Sequence, residues 1–182
     1  MMPAKPAYYR CLAANTRVAP SVFCIYGALG EKEGTATFRS IEESKIHAPG
    51  WESTGPEFGV MVTTIDAQAL YRLDLIKVDV DGAEHHILKG AAGSIGLHRP
   101  FIYVEHDKPH AYPDMIPWLD EQGYRIYQHN GRMFNPRNFR GNPINVFGAI
   151  VSMMLLAVPN ERKDINPGDW GLERVRVTVK KG

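Results

Sequence analysis

The run Leu75-Ile76-Lys77-Val78-Asp79-Val80-Asp81-Gly82-Ala83-Glu84 constrains the fold more than any other stretch of this chain. It reads as a buried strand that carries charge and then breaks into a helix. Strand side chains alternate between two faces, so Ile76, Val78 and Val80 share one face and Lys77, Asp79 and Asp81 the other. A strand with helices on both faces of its sheet should be apolar throughout. Three charges on one such face are costly unless they are paired, hydrogen-bonded or open on a site. They crowd the C-terminal end of the strand, where open α/β sheets bind ligands, so Asp79 and Asp81 are the first candidates for function.

The rest of the chain fits one ordinary globular domain. Its 182 residues suffice to bury a real core. With 21 basic against 20 acidic residues, the net charge of +1 gives no electrostatic case for nucleic acid or a membrane surface. Cys11 and Cys24 are too few for a disulfide scaffold and read as buried small hydrophobes, with reduced thiols in a cytoplasmic protein as the expectation. The N-terminus lacks the apolar stretch of a signal peptide. The longest apolar run, residues 146–158, is shorter than the roughly 20 residues of a membrane-spanning helix and reads as core.

Hydrophobic pattern and turn residues predict the elements. Residues 8–15 end a helix. The aromatic and β-branched residues 22–26 form a strand stopped by Gly27 and Gly30, and residues 35–39 form another. Residues 44–59 read as a loop, 60–63 as a short strand and 64–66 as a helix start with Thr64 or Asp66 as cap. The charged strand covers residues 73–79. The helix at 84–89 has Glu84 in its first turn and Gly90 at its C-terminal cap. A buried strand spans 101–105, a helix 113–122 ended by Gly123, and a strand 124–128. A polar loop over 132–145 leads to a final strand or two within 146–158, and residues 175–179 alternate like an edge strand. Strands separated by helices argue for an α/β sheet, with residues 124–128 and the run near Val151 as an antiparallel hairpin.

Lys77-Val78-Asp79-Val80-Asp81-Gly82-Ala83-Glu84 resembles the central string Lys-Ile-Asp-Val-Glu-Gly-Ala-Glu of the FkbM-type methyltransferases, class I enzymes that use S-adenosylmethionine. Further matches follow in order. They are Ala28-Leu29-Gly30-Glu31 with Gly34, Val62-Thr63-Thr64-Ile65-Asp66, Leu88-Lys89-Gly90-Ala91, Arg99-Pro100-Phe101-Ile102-Tyr103-Val104-Glu105 and Asn145-Val146-Phe147-Gly148. The resemblance implies a partial Rossmann-like class I sheet, mostly parallel with an antiparallel C-terminal hairpin. It sets an FkbM-like domain at residues 1–158 and a polar tail at 159–182. The family opens with a strand, a glycine-rich loop and a helix for the methionine half of the cofactor, then a second strand ending in an acidic residue for the ribose. No Gly-x-Gly string precedes residue 27, so this chain looks like the family without its first two strands.

The activity implied by the resemblance is methyl transfer, to oxygen of a sugar or small metabolite. Such a displacement needs no covalent nucleophile. The protein aligns the acceptor with the sulfonium methyl and helps to remove a proton. The strand ends offer Asp79, beside the cofactor, and Glu105 or His106, facing the acceptor. Gly27 and Ala28, Asp79, Asp81 and Glu84 are the expected cofactor contacts. The plain alternative is that Lys77 pairs with Asp79 and Glu105 in a polar patch, that Glu84 is only a favourable first-turn carboxylate, and that Gly27 and Ala28 form a tight turn. His85 and His86 diverge by about 100° on their helix and read as packing or surface residues rather than metal ligands. Among the tryptophans, only Trp51, in the long loop, is placed to touch an acceptor.

Two other functions compete. Asp79-Val80-Asp81 is similar to the Asp-x-Asp signature of metal-dependent glycosyltransferases, in which paired carboxylates hold a divalent ion against a sugar-nucleotide diphosphate. The other is a non-catalytic remnant, or a subunit completed by a second copy or a separate complementing chain that carries the missing strands.

Overall fold

The computed structural model describes residues 6–19, 21–39, 57–80, 82–107, 109 and 113–177. They form two compact units, one from residues 1–69 and 86–91, the other from residues 70–85 and 92–182.

The first unit holds helix α1 (Pro6–Thr16) and three strands, β1 (Ala28–Leu29), β2 (Gly34–Arg39) and β3 (Glu57–Thr63). Their order is β1-β3-β2, with β1 parallel and β2 antiparallel to β3. The expected strand at residues 22–26 is absent, and Phe23 is largely exposed. Strand propensity measures fit to a half-buried pleated surface, and only Ala28 and Leu29 find such a ladder. Ala28 therefore begins a strand, preceded by Gly27, and does not follow one. A 3-10 turn covers Asp66–Gln68, where Thr64 Oγ1 accepts from the Ala67 N–H at 3.0 Å. Cys11 is exposed and Cys24 half-buried, which corrects their expected burial.

Helix α2 (Glu84–Lys89) matches the sequence reading, with Glu84 in the first turn and Lys89 in the last. The reason for Gly90 differs from a left-handed cap. A Cβ there would lie 2.0 Å from the Gly30 carbonyl oxygen, so the glycine is required by close approach of two backbone segments.

The second unit is built on five strands: β4 (Leu75–Val78), β5 (Phe101–Glu105), β6 (Tyr124–Arg132), β7 (Val151–Pro159) and β8 (Glu173–Arg174). Their order is β4-β5-β7-β6-β8. The β4–β5 pair is parallel and the other three pairings are antiparallel. The sheet is thus mixed and mostly antiparallel, a correction to the mostly parallel expectation, although the C-terminal hairpin of β6 and β7 is present. The physical reason is that β7 enters between β5 and β6 running against both.

Helices α3 (Ala92–His98) and α4 (Met115–Glu121) complete this unit. The sequence reading did not anticipate α3, whose Gly93 and Gly96 disguise the helical pattern. Met115 and Leu119, one turn apart, bury the inner face of α4. Gly123, at φ +80°, stops that helix as expected. Arg99 donates to the Gln122 and Gly123 carbonyls at 2.9 and 3.0 Å, pairs with Glu161 at 2.8 Å and lies over the Tyr124 ring. One guanidinium thereby fixes the turn between α4 and β6.

The apolar run at 146–158 divides. Met154, Leu155, Ala157 and Val158 are buried in β7, whereas Val146, Phe147 and Ile150 are exposed ahead of it. The edge strand expected at 175–179 starts earlier, as β8. Val175 adds a further bond to Ile126, and residues 178–179 lie outside the described residues. No helix among the described residues is long and apolar enough to cross a membrane.

Candidate functional site

Strand register assigns each candidate to a face of the five-stranded sheet. Leu75 pairs with Phe101, Lys77 with Tyr103 and Tyr103 with Leu156; Glu105 pairs with Met154 and Met154 with His129. Lys77, Tyr103, Glu105 and His129 therefore share one face, and alternation places Asp79 there as well. Ile76, Val78, Ile102, Val104, Leu155, Ala157 and Ile126 occupy the opposite face, and all are buried.

The burial of β4 alternates between exposed and buried along its length. The strand is thus half-buried, which corrects the expectation of a strand enclosed on both faces. Lys77 Nζ donates to Asp79 Oδ2, with the two side chains 53% and 49% exposed. At that exposure the ion pair contributes about 0–1 kcal/mol to stability. Asp81 and Trp51 lie outside the described residues.

The three expected catalytic residues separate. Asp79 and Glu105 share the polar face, and Glu105 is half-buried there. His106 follows β5 toward the other face and is only 9% exposed, its backbone N–H donating to Met153 O at 2.9 Å. Its Nδ1 is buried without a hydrogen-bond partner among the described residues. Burial pushes the imidazole below its ordinary value of 6.5, opposed by the nearby Asp107 and Glu84 carboxylates.

Glu84 is 4% exposed and serves the loop between β4 and α2. Its Oε1 accepts from the Val80 N–H at 3.2 Å, and both oxygens accept from the Gly82 N–H at 3.1 Å. A buried carboxylate in this place fixes the backbone on either side of Asp81. His85 packs edge-on against Trp118, with ring centroids 5.8 Å apart, while His86 is exposed and pairs with Glu31 at 3.0 Å, so the two diverge as expected. Gly27 and Ala28 belong to the first unit.

The sequence reading missed one pair. Tyr103 Oη and His129 Nδ1 lie 2.6 Å apart, with ring centroids separated by 5.9 Å. Burial raises the Tyr103 phenol, the Lys77 cation opposes that shift and Asp79 reinforces it, so the phenol stays protonated at neutral pH. Tyr103 was visible as the residue alternating with Glu105, but its partner depends on the order in which the strands join.

The residues present fit the cofactor that the family string implies. The ribose hydroxyls call for an acceptor and the sulfonium charge for a nearby anion, and Asp79 offers a half-exposed carboxylate at the end of β4.

A family model described as the methyltransferase FkbM domain matches residues 3–126. Among solved structures, the crystal structure of methyltransferase FkbM from Methylobacillus flagellatus KT is similar, with a TM-score of 0.53 at 17% sequence identity. The match covers 86% of this chain and 35% of that one, so the chain spans about a third of that protein's length. At this identity the likeness bears on the fold alone. No curated protein sequence matches the chain.

Proposed function

Because this chain belongs to the methyltransferase FkbM domain family, we propose that it is an S-adenosylmethionine-dependent methyltransferase acting on oxygen of a sugar or small metabolite. The observation that carries the reading is the family match over residues 3–126, a range that includes the string Lys77–Glu84 with Asp79 at the end of β4. The parallel β4–β5 pair followed by an antiparallel hairpin supports a partial Rossmann-like class I sheet, as does the solved structure of the same description. We assign that domain to residues 1–158 and place the protein in the cytoplasm.

When bound, the cofactor supplies a methyl group on a positively charged sulfur. Asp79 holds the cofactor, by charge or by accepting from hydroxyls, and Lys77 orients its carboxylate. Glu84 acts through the loop, keeping Val80 and Gly82 in place around Asp81, the other expected cofactor contact of this unit. Glu105 faces the acceptor, and His106 serves from the buried side of β5.

Calorimetric titration with S-adenosylhomocysteine tests the reading. Micromolar binding that weakens at least about tenfold in Asp79→Asn, a change of roughly 1.4 kcal/mol, is the expected result. A folded chain with no binding would remove it.

A second reading is a subunit completed by another copy of this chain. It draws on the outer edge of β4, which pairs with no strand among the described residues. A sedimentation mass equal to one chain at all concentrations would dismiss it.

A further inference from the structure

We propose that Tyr103, His129 and Gly131 form the acceptor-binding end of the site, with His129 Nε2 taking the proton of an acceptor hydroxyl and Tyr103 positioning the ring. The inference rests on the methyltransferase reading and names the group that prepares the acceptor.

Two independent observations carry it. The first is the short contact between Tyr103 Oη and His129 Nδ1, which fixes one nitrogen of the ring and leaves the other to face away from the phenol. Which nitrogen of a histidine carries the proton is set by the bond the other makes. The contact admits either direction, and the one proposed has Nδ1–H donating to the phenol oxygen, which leaves Nε2 with a bare lone pair.

The second observation is Gly131. It sits inside β6, paired with Ser152, and its φ is not in the left-handed region, so the backbone does not demand glycine. Glycine within a strand weakens it and often marks the close approach of a ligand. Here a Cβ would meet His129 Cε1 at 3.5 Å and Nε2 at 3.8 Å. The missing side chain thus leaves space directly against the nitrogen that Tyr103 does not occupy. The surrounding face is chemically suited to a hydroxylated molecule. It carries the Lys77–Asp79 pair and Glu105, and in β7 the buried Met154.

With the cofactor bound, the acceptor oxygen would take the methyl carbon as the carbon–sulfur bond broke with its electron pair left on sulfur. The hydroxyl proton passes to Nε2. The imidazolium keeps its Nδ1–H bond to Tyr103 and later returns a proton to solvent.

The test reads the tautomer of His129 directly, by nitrogen NMR of the full chain at neutral pH, with the signal assigned by its loss in His129→Gln. The expected result is a proton on Nδ1 in the wild type that moves mainly to Nε2 in Tyr103→Phe. A wild-type proton on Nε2, or a tautomer that Tyr103→Phe leaves unchanged, would overturn the proposal. Carbethoxylation by diethyl pyrocarbonate adds a second readout. His129 should react, and about tenfold more slowly in Gly131→Val, equivalent to roughly 1.4 kcal/mol in the barrier; an unreactive His129 would also overturn the proposal. S-adenosylhomocysteine titration of the same proteins separates the two claims. Binding should stay within about threefold of wild type in Tyr103→Phe and His129→Gln. Absence of binding in all forms would remove the methyltransferase reading, while the tautomer still decides the pair.

Discussion

The two faces of the five-stranded sheet obey different rules. On one, Ile76, Val78, Ile102, Val104, Ile126, Leu155 and Ala157 form an apolar layer, all of them buried. On the other, β7 still contributes buried Met154 and Val158, but β4, the end of β5 and His129 of β6 carry Lys77, Asp79, Tyr103, Glu105 and a histidine. Burying apolar surface stabilises by about 25 cal/mol per Å², whereas half-exposed ion pairs add almost nothing. The first face therefore holds the fold, and the second is free to carry chemistry.

The sharpest way to break this contrast is to substitute both faces and compare. Ile102→Ala, on the apolar face, should cost about 2–5 kcal/mol of unfolding free energy in urea, because the site is fully enclosed. Equal loss from Tyr103→Ala, its neighbour on the other face, would erase the distinction. Glu84→Gln should cost less, about 1–3 kcal/mol, since one buried oxygen that accepts from Val80 and Gly82 becomes a donor. Hydrogen exchange at Gly82 is the more direct check, and unaltered protection there would show that the carboxylate does not hold the loop. Asp79→Asn should leave urea stability within about 1 kcal/mol of wild type while methyl transfer falls more than about tenfold. Full activity in that variant would end the site assignment.

The smallest effect is a pH dependence. Burial depresses His106 below 6.5 in the folded chain, so the unfolded chain binds its proton first. Stability from this group is complete above pH 6.5 and is lost as pH falls from there toward the folded value. Melting temperature followed from pH 7.5 downward should therefore decline less in His106→Phe than in wild type. Identical slopes would show that the imidazole is not buried neutral.

Much of this arrangement was legible in the residues. Phe101–Glu105 and Glu84–Lys89 follow from alternation and from end signals that local packing then reinforces. The alternation of Lys77 and Asp79 with Ile76 and Val78 was also legible, though the exposure of the charged side was not, because one strand does not reveal what covers it. Residues 22–26 misled because their propensity has no partner strand among the described residues to act on. The pair Tyr103–His129 was invisible for a topological reason. Twenty-six positions separate them, and they meet only because β7 aligns β5 with β6.

That alignment also governs when the protein can fold. Tyr124–Arg132 leaves the ribosome well before Val151–Pro159, yet it has no place beside Phe101–Glu105 until the later strand slots between them. During that interval β6 is an unclaimed strand bearing Ile126 and Tyr127, and the growing chain is most open to mispairing and aggregation. Closing the intervening loop adds an entropic delay that grows slowly with its length. Synthesis of residues 133–150 therefore sets a minimum on how long β6 waits for its partner.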